Sequence, residues 1–502
     1  MSMDSPVPRS PLGFEKLPAE LYDEIFSYLP IPYTKHENFV VKHVDNDYDM
    51  HQFDYLKGVG RGFGFYLLTD TLQLRLVSRA FNRAASRVWF HYESLKLRAY
   101  DYKGLFQNSD MRKPGDYEVR VTTPSSIDRI SDFLLQSDSL APLLTHVRIE
   151  LSHVESGLVK GVSQWMDAQG EPLTNQEEIQ SLHKFLALVP PAIKKMERIE
   201  TLSIYMGQTW ESDYSGDSQV DSAPQFNMAA LDQLRGVLSS LFSSPPSGLQ
   251  FLTDLRLTLP CTYDFAALNA AMSDDATARL RHLYIEYCDA SGPGGDRSYL
   301  MYADDWEGYD GDEYVPLSNL QQEYPNEEYM PDVCRLIGRC HNLESLGLDA
   351  THYLALDTLN WRPSGRGLQN IYISRGIVPC KTLRKLLSAS DETTSNIFAL
   401  HLDYVQLLDS TWANVFDHLL ASETLKYFAI DDLNYAHRGE SAHLRQHNVR
   451  QWENSSAIWS EHQEDLYKLQ EVIEKVAADG GLLSPGLDYL LDSNDDSHLS
   501  QW

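Results

Sequence analysis

The 502-residue sequence is poor in basic side chains and in cysteine. It carries 42 Lys and Arg against 72 Asp and Glu, a formal net charge of −30. Because phosphate contacts need clustered Lys and Arg, this balance argues against nucleic-acid binding and favours a basic protein partner. The five cysteines show no CxxC spacing, and residues 1–13 lack the apolar core of a signal peptide. We therefore expect an intracellular protein of the reducing cytoplasm, the nucleus or both.

Long apolar runs and catalytic motifs are also missing. No run of about 18 apolar residues occurs, so no membrane span is predicted. The sequence contains no GxSxG, HExxH or P-loop motif, and the alternating glycines of residues 58–64 do not fit the GxGxxG spacing. His443 and His447 have no Cys or further ligand beside them and predict a polar surface rather than a metal site. We expect no enzyme, cofactor or metal; a hidden hydrolase or transferase is the enzymatic alternative.

Two N-terminal segments predict a pair of amphipathic helices. In Leu17–Pro30, Pro18 suits a first helical turn, and the apolar face consists of Leu21, Ile25, Phe26 and Leu29. In Asp70–Phe90 the apolar residues are Leu76, Val77, Phe81, Ala84, Ala85 and Val88, followed by Trp89. The two faces need a partner surface, although an ordinary helical hairpin would show the same pattern.

Together the two segments resemble the F-box of substrate receptors in cullin-RING ubiquitin ligases. The resemblance implies a helical module that recruits a Skp-type adaptor and, through it, the cullin-RING complex. The adaptor-binding residues that it implies are Leu17, Pro18, Leu21, Ile25, Phe26, Leu29, Leu76, Val77, Phe81 and Trp89. The spacing departs from the family, because residues 31–69 separate the helices where a few residues usually stand. Each doubling of such a loop costs only about 0.6 kcal/mol, so the module can survive the insertion.

The remainder of the chain contains nine copies of the pattern apolar-x-x-apolar-x-apolar. Their last two apolar residues are Leu95/Leu97, Val147/Ile149, Leu202/Ile204, Leu255/Leu257, Leu283/Ile285, Leu346/Leu348, Ile371/Ile373, Leu400/Leu402 and Phe428/Ile430. The last six copies begin at 252, 280, 343, 368, 397 and 425. Apart from one gap of 63, their intervals of 25 to 29 residues lie within the leucine-rich-repeat range.

Helical stripes lie between these copies. One contains Trp412, Val415, Phe416 and Leu419 behind a possible N-cap at Ser410, and another follows a possible capping box at Ser460 and Gln463. The alternation resembles the irregular leucine-rich repeats that follow the F-box in fungal receptors. The consensus Asn or Cys position is filled only by Cys288, so the repeats are irregular, and a different α/β arrangement is the alternative.

We therefore expect an α/β fold in which a helical F-box precedes a leucine-rich-repeat-like solenoid, with parallel strands on its concave face and helices on its convex face. The predicted divisions are a disordered N-terminus (1–14), an F-box (15–93) interrupted at 31–69, the solenoid (94–435) with an acidic insertion at 289–331, a linker and capping helix (436–483) and a polar tail (484–502).

The predicted function is that of a non-catalytic receptor that holds a target protein on the concave face. One position after each copy's last apolar residue lie Arg98, Glu150, Tyr205, Thr258, Glu286, Asp349, Ser374, Asp403 and Asp431. Five of these nine positions are acidic. A row of acids on the concave face would suit a Lys- or Arg-rich target segment. The predicted target-binding residues are Glu150, Glu286, Asp349, Asp403 and Asp431, together with Tyr284, Tyr372 and Tyr427. The alternative is an interaction scaffold with a degenerate F-box that joins no cullin complex.

Overall fold

A computed structural model describes residues 94–98, 145–151, 159–160, 175–206, 225–289, 291, 317–389, 395–436, 457–460, 462–484 and 487. Several predicted parts lie outside these residues. They are 1–14, both F-box-like segments with the 31–69 insertion, residues 292–316 of the acidic insertion, most of the linker with His443 and His447, and nearly all of the tail.

The main sheet has ten parallel strands whose spatial order follows the chain, β1-β2-β4-β6-β7-β8-β10-β12-β14-β16. All nine predicted copies are strands of this sheet, so the repeated pattern is confirmed as a strand signal. The strands are β1 (Ser94–Arg98), β2 (His146–Glu150), β4 (Thr201–Tyr205), β6 (Asp254–Leu259), β7 (His282–Tyr287), β8 (Ser345–Ala350), β10 (Asn370–Ser374), β12 (Ala399–Asp403), β14 (Tyr427–Asp431) and β16 (Leu482–Leu483).

Helices connect most of these strands, as parallel pairing requires. The described helices are α1 (Asn175–Lys194), α2 (Met228–Ser243), α3 (Thr262–Ala271), α4 (Asp274–Arg279), α5 (Asn319–Glu323), α6 (Asn326–Arg339), α7 (Cys380–Leu387), α8 (Trp412–Leu420) and α9 (Gln463–Ala478). The apolar stripe predicted for α8 is buried, from Trp412 to Leu419. None of the helices in the described ranges combines the length and the apolar character needed to cross a membrane.

The two faces of the main sheet have different surroundings, because successive strand side chains point to opposite faces. On one face, residues such as Leu255 and Leu257 join the helices in one continuous apolar core. The other face, here called the tyrosine face, carries a separate buried cluster of Tyr284, Tyr372, Tyr427, Ala399 and Ala429. Within the described residues, no helix contributes to that second cluster. The chain is therefore α/β, with the described helices packed against one side of a parallel sheet.

Two smaller sheets accompany the main one. A four-stranded parallel sheet contains β9 (Leu354–Ala355), β11 (Gly376–Val378), β13 (Gln406–Leu407) and β15 (Asn434–Tyr435), and β3 (Val159–Lys160) pairs antiparallel with β5 (Gln225–Phe226). The chain passes from β10, β12 and β14 into the four-stranded sheet through Arg375, Tyr404 and Asp432, which we call the corner residues. Their φ angles of 55°, 49° and 50° are left-handed, a conformation that is uncommon for residues other than glycine.

The predicted C-terminal helix is confirmed as α9, which packs against α8 and leads into β16. Its predicted capping box is wrong: the N-cap is His462, with no side-chain bond, because the Ser460 hydroxyl donates to Asp465 Oδ2 at 2.5 Å. The predicted N-cap at Ser410 is also wrong, since α8 begins after Thr411. Ser410 has a left-handed backbone, with φ of 66°, and its Oγ accepts from Asn414 Nδ2 of α8 at 3.0 Å.

Candidate functional site

The strand register brings the predicted acidic positions into one row on the tyrosine face. Glu150 lies between Arg98 and Tyr205, and Glu286 lies between Thr258 and Asp349. Asp403 pairs with Ser374 on one side and with Asp431 on the other. Because parallel neighbours lie about 4.8 Å apart, these residues form a continuous line, here called the acidic row.

The acidic row changes from buried to exposed along the sheet. Glu286 and Asp349 are only 7% and 3% exposed, whereas Asp403 is half-buried and Asp431 is exposed. The placement of the row therefore follows the sequence pattern, but its interior acids do not form an open, solvated surface. Among the members whose side chains are described, Asp403 and Asp431 are the acids that a partner can reach without opening the fold.

The buried acids have hydrogen-bond partners on the same face. Thr258 Oγ1 donates to Glu286 Oε2 at 2.8 Å, and Tyr284 Oη donates to the same oxygen at 3.3 Å. Tyr372 Oη donates to Asp349 Oδ2 at 3.1 Å. Buried carboxylates need such donors, since an unsatisfied acceptor away from water is unfavourable. These bonds give the interior of the acidic row a structural role.

The three predicted target-binding tyrosines lie inside the protein. Tyr284, Tyr372 and Tyr427 are 0%, 2% and 6% exposed. The rings pack beside the small side chains of Ala399 and Ala429 in the cluster of the tyrosine face. The expectation that they add open contact area is therefore corrected: in this conformation they are buried, and two of them supply hydrogen-bond donors to the acids.

The accessible end of the row continues into the corner residues, which the sequence reasoning missed. Tyr404 follows Asp403 directly and is 37% exposed, while the Arg375 guanidinium carbon lies 5.1 Å from its ring centroid. Burial raises the pKa of the Tyr404 hydroxyl, and the nearby Asp403 and Asp432 raise it further. Burial, followed by Asp432, likewise raises the pKa of Asp431.

This end, which we call the open end (Asp403, Tyr404 and Asp431), combines carboxylates with an aromatic ring. Carboxylates form charge-assisted hydrogen bonds with Lys and Arg, and an aromatic face attracts the same cations. Arg375, Tyr404 and Asp432 occupy the same position, one residue beyond the acidic row, in three successive copies, but they share no residue type, so no residue pattern indicates them. Their left-handed backbone could not be anticipated from residue type.

A serine–histidine pair of the type used in nucleophilic chemistry lies in the core, at the end of α7 and on α8. Ser388 Oγ is 3.0 Å from His418 Nε2 and donates to the Arg384 carbonyl at 2.6 Å. Both side chains are buried, and burial lowers the pKa of His418. The hydroxyl is thus engaged with the backbone of α7 and out of reach of a substrate, which gives the pair a structural role.

The described residues contain no site suited to cysteine catalysis or to metal binding. All five cysteines are buried and none forms a disulfide, and burial raises the pKa of Cys334 to about 11 and that of Cys340 to about 12. A reactive thiol needs the opposite shift and access to solvent. Within the described ranges, no group of three or more His, Cys, Asp or Glu side chains could hold a metal ion.

Comparison with known proteins gives no assignment. No protein-family model matches the chain, and no curated protein matches it in sequence. Among the described residues, the open end is the part of the acidic row that a partner can reach.

Proposed function

We propose that this chain is the non-catalytic substrate receptor of an SCF-type ubiquitin ligase. Its F-box-like helices at 17–30 and 70–90 bind a Skp-type adaptor, and its repeat domain binds a target protein. The first half of this proposal is carried by the sequence resemblance of those two segments. A receptor of this kind needs no catalytic group, because holding a target near the conjugating machinery raises its effective concentration.

The second half of the proposal is a leucine-rich-repeat-like solenoid with the tyrosine face as its concave side. The supporting observation is that nine copies of one sequence pattern form neighbouring strands in chain order. Consecutive helices also contact one another, including α1 with α2, α2 with α3, and α8 with α9. Contacts between neighbouring units are the property that defines a repeat array. Ten strands at about 4.8 Å spacing extend over about 43 Å, long enough for an extended target segment.

The chemistry of the open end favours a basic target. Asp403 and Asp431 lie on adjacent strands with Tyr404 beside them, so a Lys or Arg side chain could contact two carboxylates and one ring. Charged partners of this kind determine orientation and specificity more than total affinity. We therefore assign target recognition to the open end and structural support to the buried part of the acidic row.

The experiment that tests the receptor proposal is co-purification of the full chain with a Skp-type adaptor and cullin. Replacing Leu17 and Pro18, or Leu76 and Val77, by Ala should abolish adaptor retention, because each pair belongs to one half of the apolar docking surface. Deleting residues 45–63 of the insertion should weaken retention less. Tyr467→Ala, at an exposed position of α9, serves as the matched control and should retain the adaptor.

Failure of the wild-type chain to retain the adaptor would contradict the receptor proposal. If the wild-type chain retains no adaptor at micromolar concentration, it is not a ligase receptor. The chain would then be an interaction scaffold whose F-box no longer joins a cullin complex, and the target-binding tests on the repeat domain would still apply.

A further inference from the structure

Tyr404 combines an exposed aromatic ring with a strained backbone. It is one of the few large apolar or aromatic side chains that are exposed among the described residues, and its φ is 49°. In this left-handed region every residue other than glycine is strained, because its Cβ approaches the following carbonyl oxygen. A glycine at this position would relieve the strain and remove the exposed ring, so the side chain needs an explanation of its own.

Contacts within the fold explain the other two corner residues. Arg375 Nη1 donates to the Ala350 carbonyl at 3.0 Å, and Asp432 Oδ1 accepts from Trp459 Nε1. Tyr404 differs from both, because in the part of the chain that the structure describes its hydroxyl makes no hydrogen bond. Its ring has the Arg375 guanidinium beside it and otherwise remains partly open to solvent. The Tyr404 side chain therefore supports the fold less than Arg375 and Asp432 do.

The charges around Tyr404 are predominantly negative. Those described near its hydroxyl are the carboxylates of Asp403, Asp431 and Asp432 and the guanidinium of Arg375. Asp431 is the most accessible of these acids, because its residue is exposed. Tyr404 N donates to the Asp431 carbonyl at 2.9 Å, so the aromatic residue and the exposed acid are direct neighbours across β12 and β14. A cation that reaches the ring is thereby brought close to a carboxylate.

The ring of Tyr404 already has one guanidinium beside it. The Cζ atom of Arg375 lies 5.1 Å from the ring centroid, within the range of a cation–π interaction. The same pairing occurs towards the other end of the main sheet, where Arg148 Cζ lies 5.0 Å from the centroid of Tyr205. Arg375 leaves 37% of Tyr404 exposed, so a guanidinium from another molecule can contact the remaining ring surface.

We propose that Tyr404 and Asp431 form an arginine-selective site, in which a target arginine stacks on the exposed surface of the Tyr404 ring and donates to the Asp431 carboxylate. This inference rests on the proposed function of the open end and specifies the side chain that it recognises. A stacked guanidinium is planar and keeps its N–H groups at its rim, where a carboxylate can accept from them. A lysine ammonium is compact and strongly hydrated, and it cannot stack in this way.

The test compares two blocked peptides, Gly-Gly-Arg-Gly-Gly and Gly-Gly-Lys-Gly-Gly, titrated against the full chain at low salt and followed by ligand-detected NMR. For the wild-type protein we expect the arginine peptide to bind about threefold more tightly than the lysine peptide. Tyr404→Leu retains apolar bulk without the aromatic face and should bind the two peptides equally. Tyr467→Leu, at an exposed tyrosine of α9, is the matched control and should keep the wild-type preference.

A second variant separates recognition from a structural role. Tyr404→Gly relieves the left-handed backbone, so its midpoint of urea unfolding should be no lower than that of the wild type, although its preference for the arginine peptide should be lost. A lower midpoint would show that the ring supports the fold, and this would overturn the proposal. Equal binding of both peptides by the wild type, or a Tyr404→Leu variant that retains the preference, would also overturn it.

The peptide titration is independent of the adaptor experiment. If the chain retains no adaptor, a preference for arginine that depends on Tyr404 still assigns the site. Equal binding of the two peptides would reject the arginine-selective site and would leave adaptor retention unaffected.

Discussion

Tyr372 of β10 donates its phenolic hydrogen to Asp349 of β8, with 3.1 Å between Oη and Oδ2. Both residues are buried on the tyrosine face, and Tyr284 Oη approaches the same carboxylate oxygen at 3.5 Å. The sequence pattern puts acids on this face in a row, and the tyrosines supply donors that let part of the row be buried. Acid and tyrosine on this face are therefore one structural unit.

The first prediction concerns the stability that this unit provides. Tyr372→Phe removes the hydroxyl but preserves the ring, so Asp349 loses one of its donors while the packing is kept. We expect the free energy of unfolding to fall by about 1–3 kcal/mol. Urea denaturation measures the change, with Tyr467→Phe on the exposed side of α9 as control. Equal stability of the two variants would show that the hydrogen bond from Tyr372 to Asp349 contributes nothing to the free energy of unfolding.

His352 is held in one tautomer by its neighbours. Asn326 Oδ1 accepts from Thr262 N at 2.9 Å, which turns the Asn326 amide nitrogen towards His352 Nε2. Nε2 must then be the acceptor, and Nδ1 donates to Thr351 Oγ1 at 3.2 Å. Protonation of Nε2 would place two donors against each other. Burial, followed by the charge of Arg375, lowers the pKa of His352 to about 4.

The second prediction is a loss of stability in acid that depends on His352. Below pH 6.5 the unfolded chain protonates this histidine, whereas the folded protein does not until about pH 4. The free energy of unfolding therefore falls as the pH drops through this window. Between pH 6.5 and 5, the wild type should lose about 1.6 kcal/mol more than His352→Gln. Exposed His341→Gln is the control and should keep the wild-type slope; identical slopes for the wild type and His352→Gln would contradict the prediction.

The strands and most helices could be predicted because their signal is local. Leu255 and Leu257 are two residues apart, and Trp412 and Phe416 are four apart, so periodicity alone indicates a strand or a helix. The burial of Glu286 could not be predicted, because its donor Thr258 lies 28 residues away. The open end was found only in part: Asp403 and Asp431 follow from the repeat, but Tyr404 needed the observed turn between two sheets.

Asp465, near the C-terminal end, also has hydrogen-bond partners that are distant in sequence and could not be predicted. It is fully buried at the start of α9, and its Oδ1 accepts from Ala413 N at 2.7 Å, 52 residues away. Its Oδ2 accepts from Ser460 Oγ at 2.5 Å and from the Tyr435 hydroxyl. One carboxylate thus joins α9, the start of α8 and β15. No pattern around residue 465 indicates these partners.

The third prediction is that Asp465 fixes the terminal helix to the sheet. Asp465→Ala leaves three donors without their acceptor and should lower the free energy of unfolding by about 2–4 kcal/mol. Asp465→Asn keeps one acceptor oxygen and should lower the free energy of unfolding by a smaller amount. Tryptic cleavage at Lys468 and Lys475 reports separation of α9 from α8, and Glu474→Ala on the exposed side is the control. Equal stability and cleavage of Asp465→Ala and Glu474→Ala would reject this role.

The last prediction concerns target recognition at the open end. Asp403 and Asp431 are changed together to Asn, while buried Asp349 is left intact because its replacement would disturb the fold. If a Lys- or Arg-rich segment binds there, loss of two accessible carboxylates should weaken target capture about tenfold and reduce its dependence on salt. Quantitative mass spectrometry of proteins captured from proteasome-inhibited cells measures the effect. Asp274→Asn with Asp275→Asn on the helix side is the matched double control.

The comparison of the two double variants decides between surfaces, because both remove two acidic charges. A loss confined to the Asp403 and Asp431 variant assigns recognition to the open end. An equal loss in both would show a general effect of net charge, which steers association without specifying a site. Unchanged capture by a folded Asp403 and Asp431 variant would reject the acidic row as the recognition surface. Target binding would then have to be sought on the helix side or in the acidic insertion at 289–331.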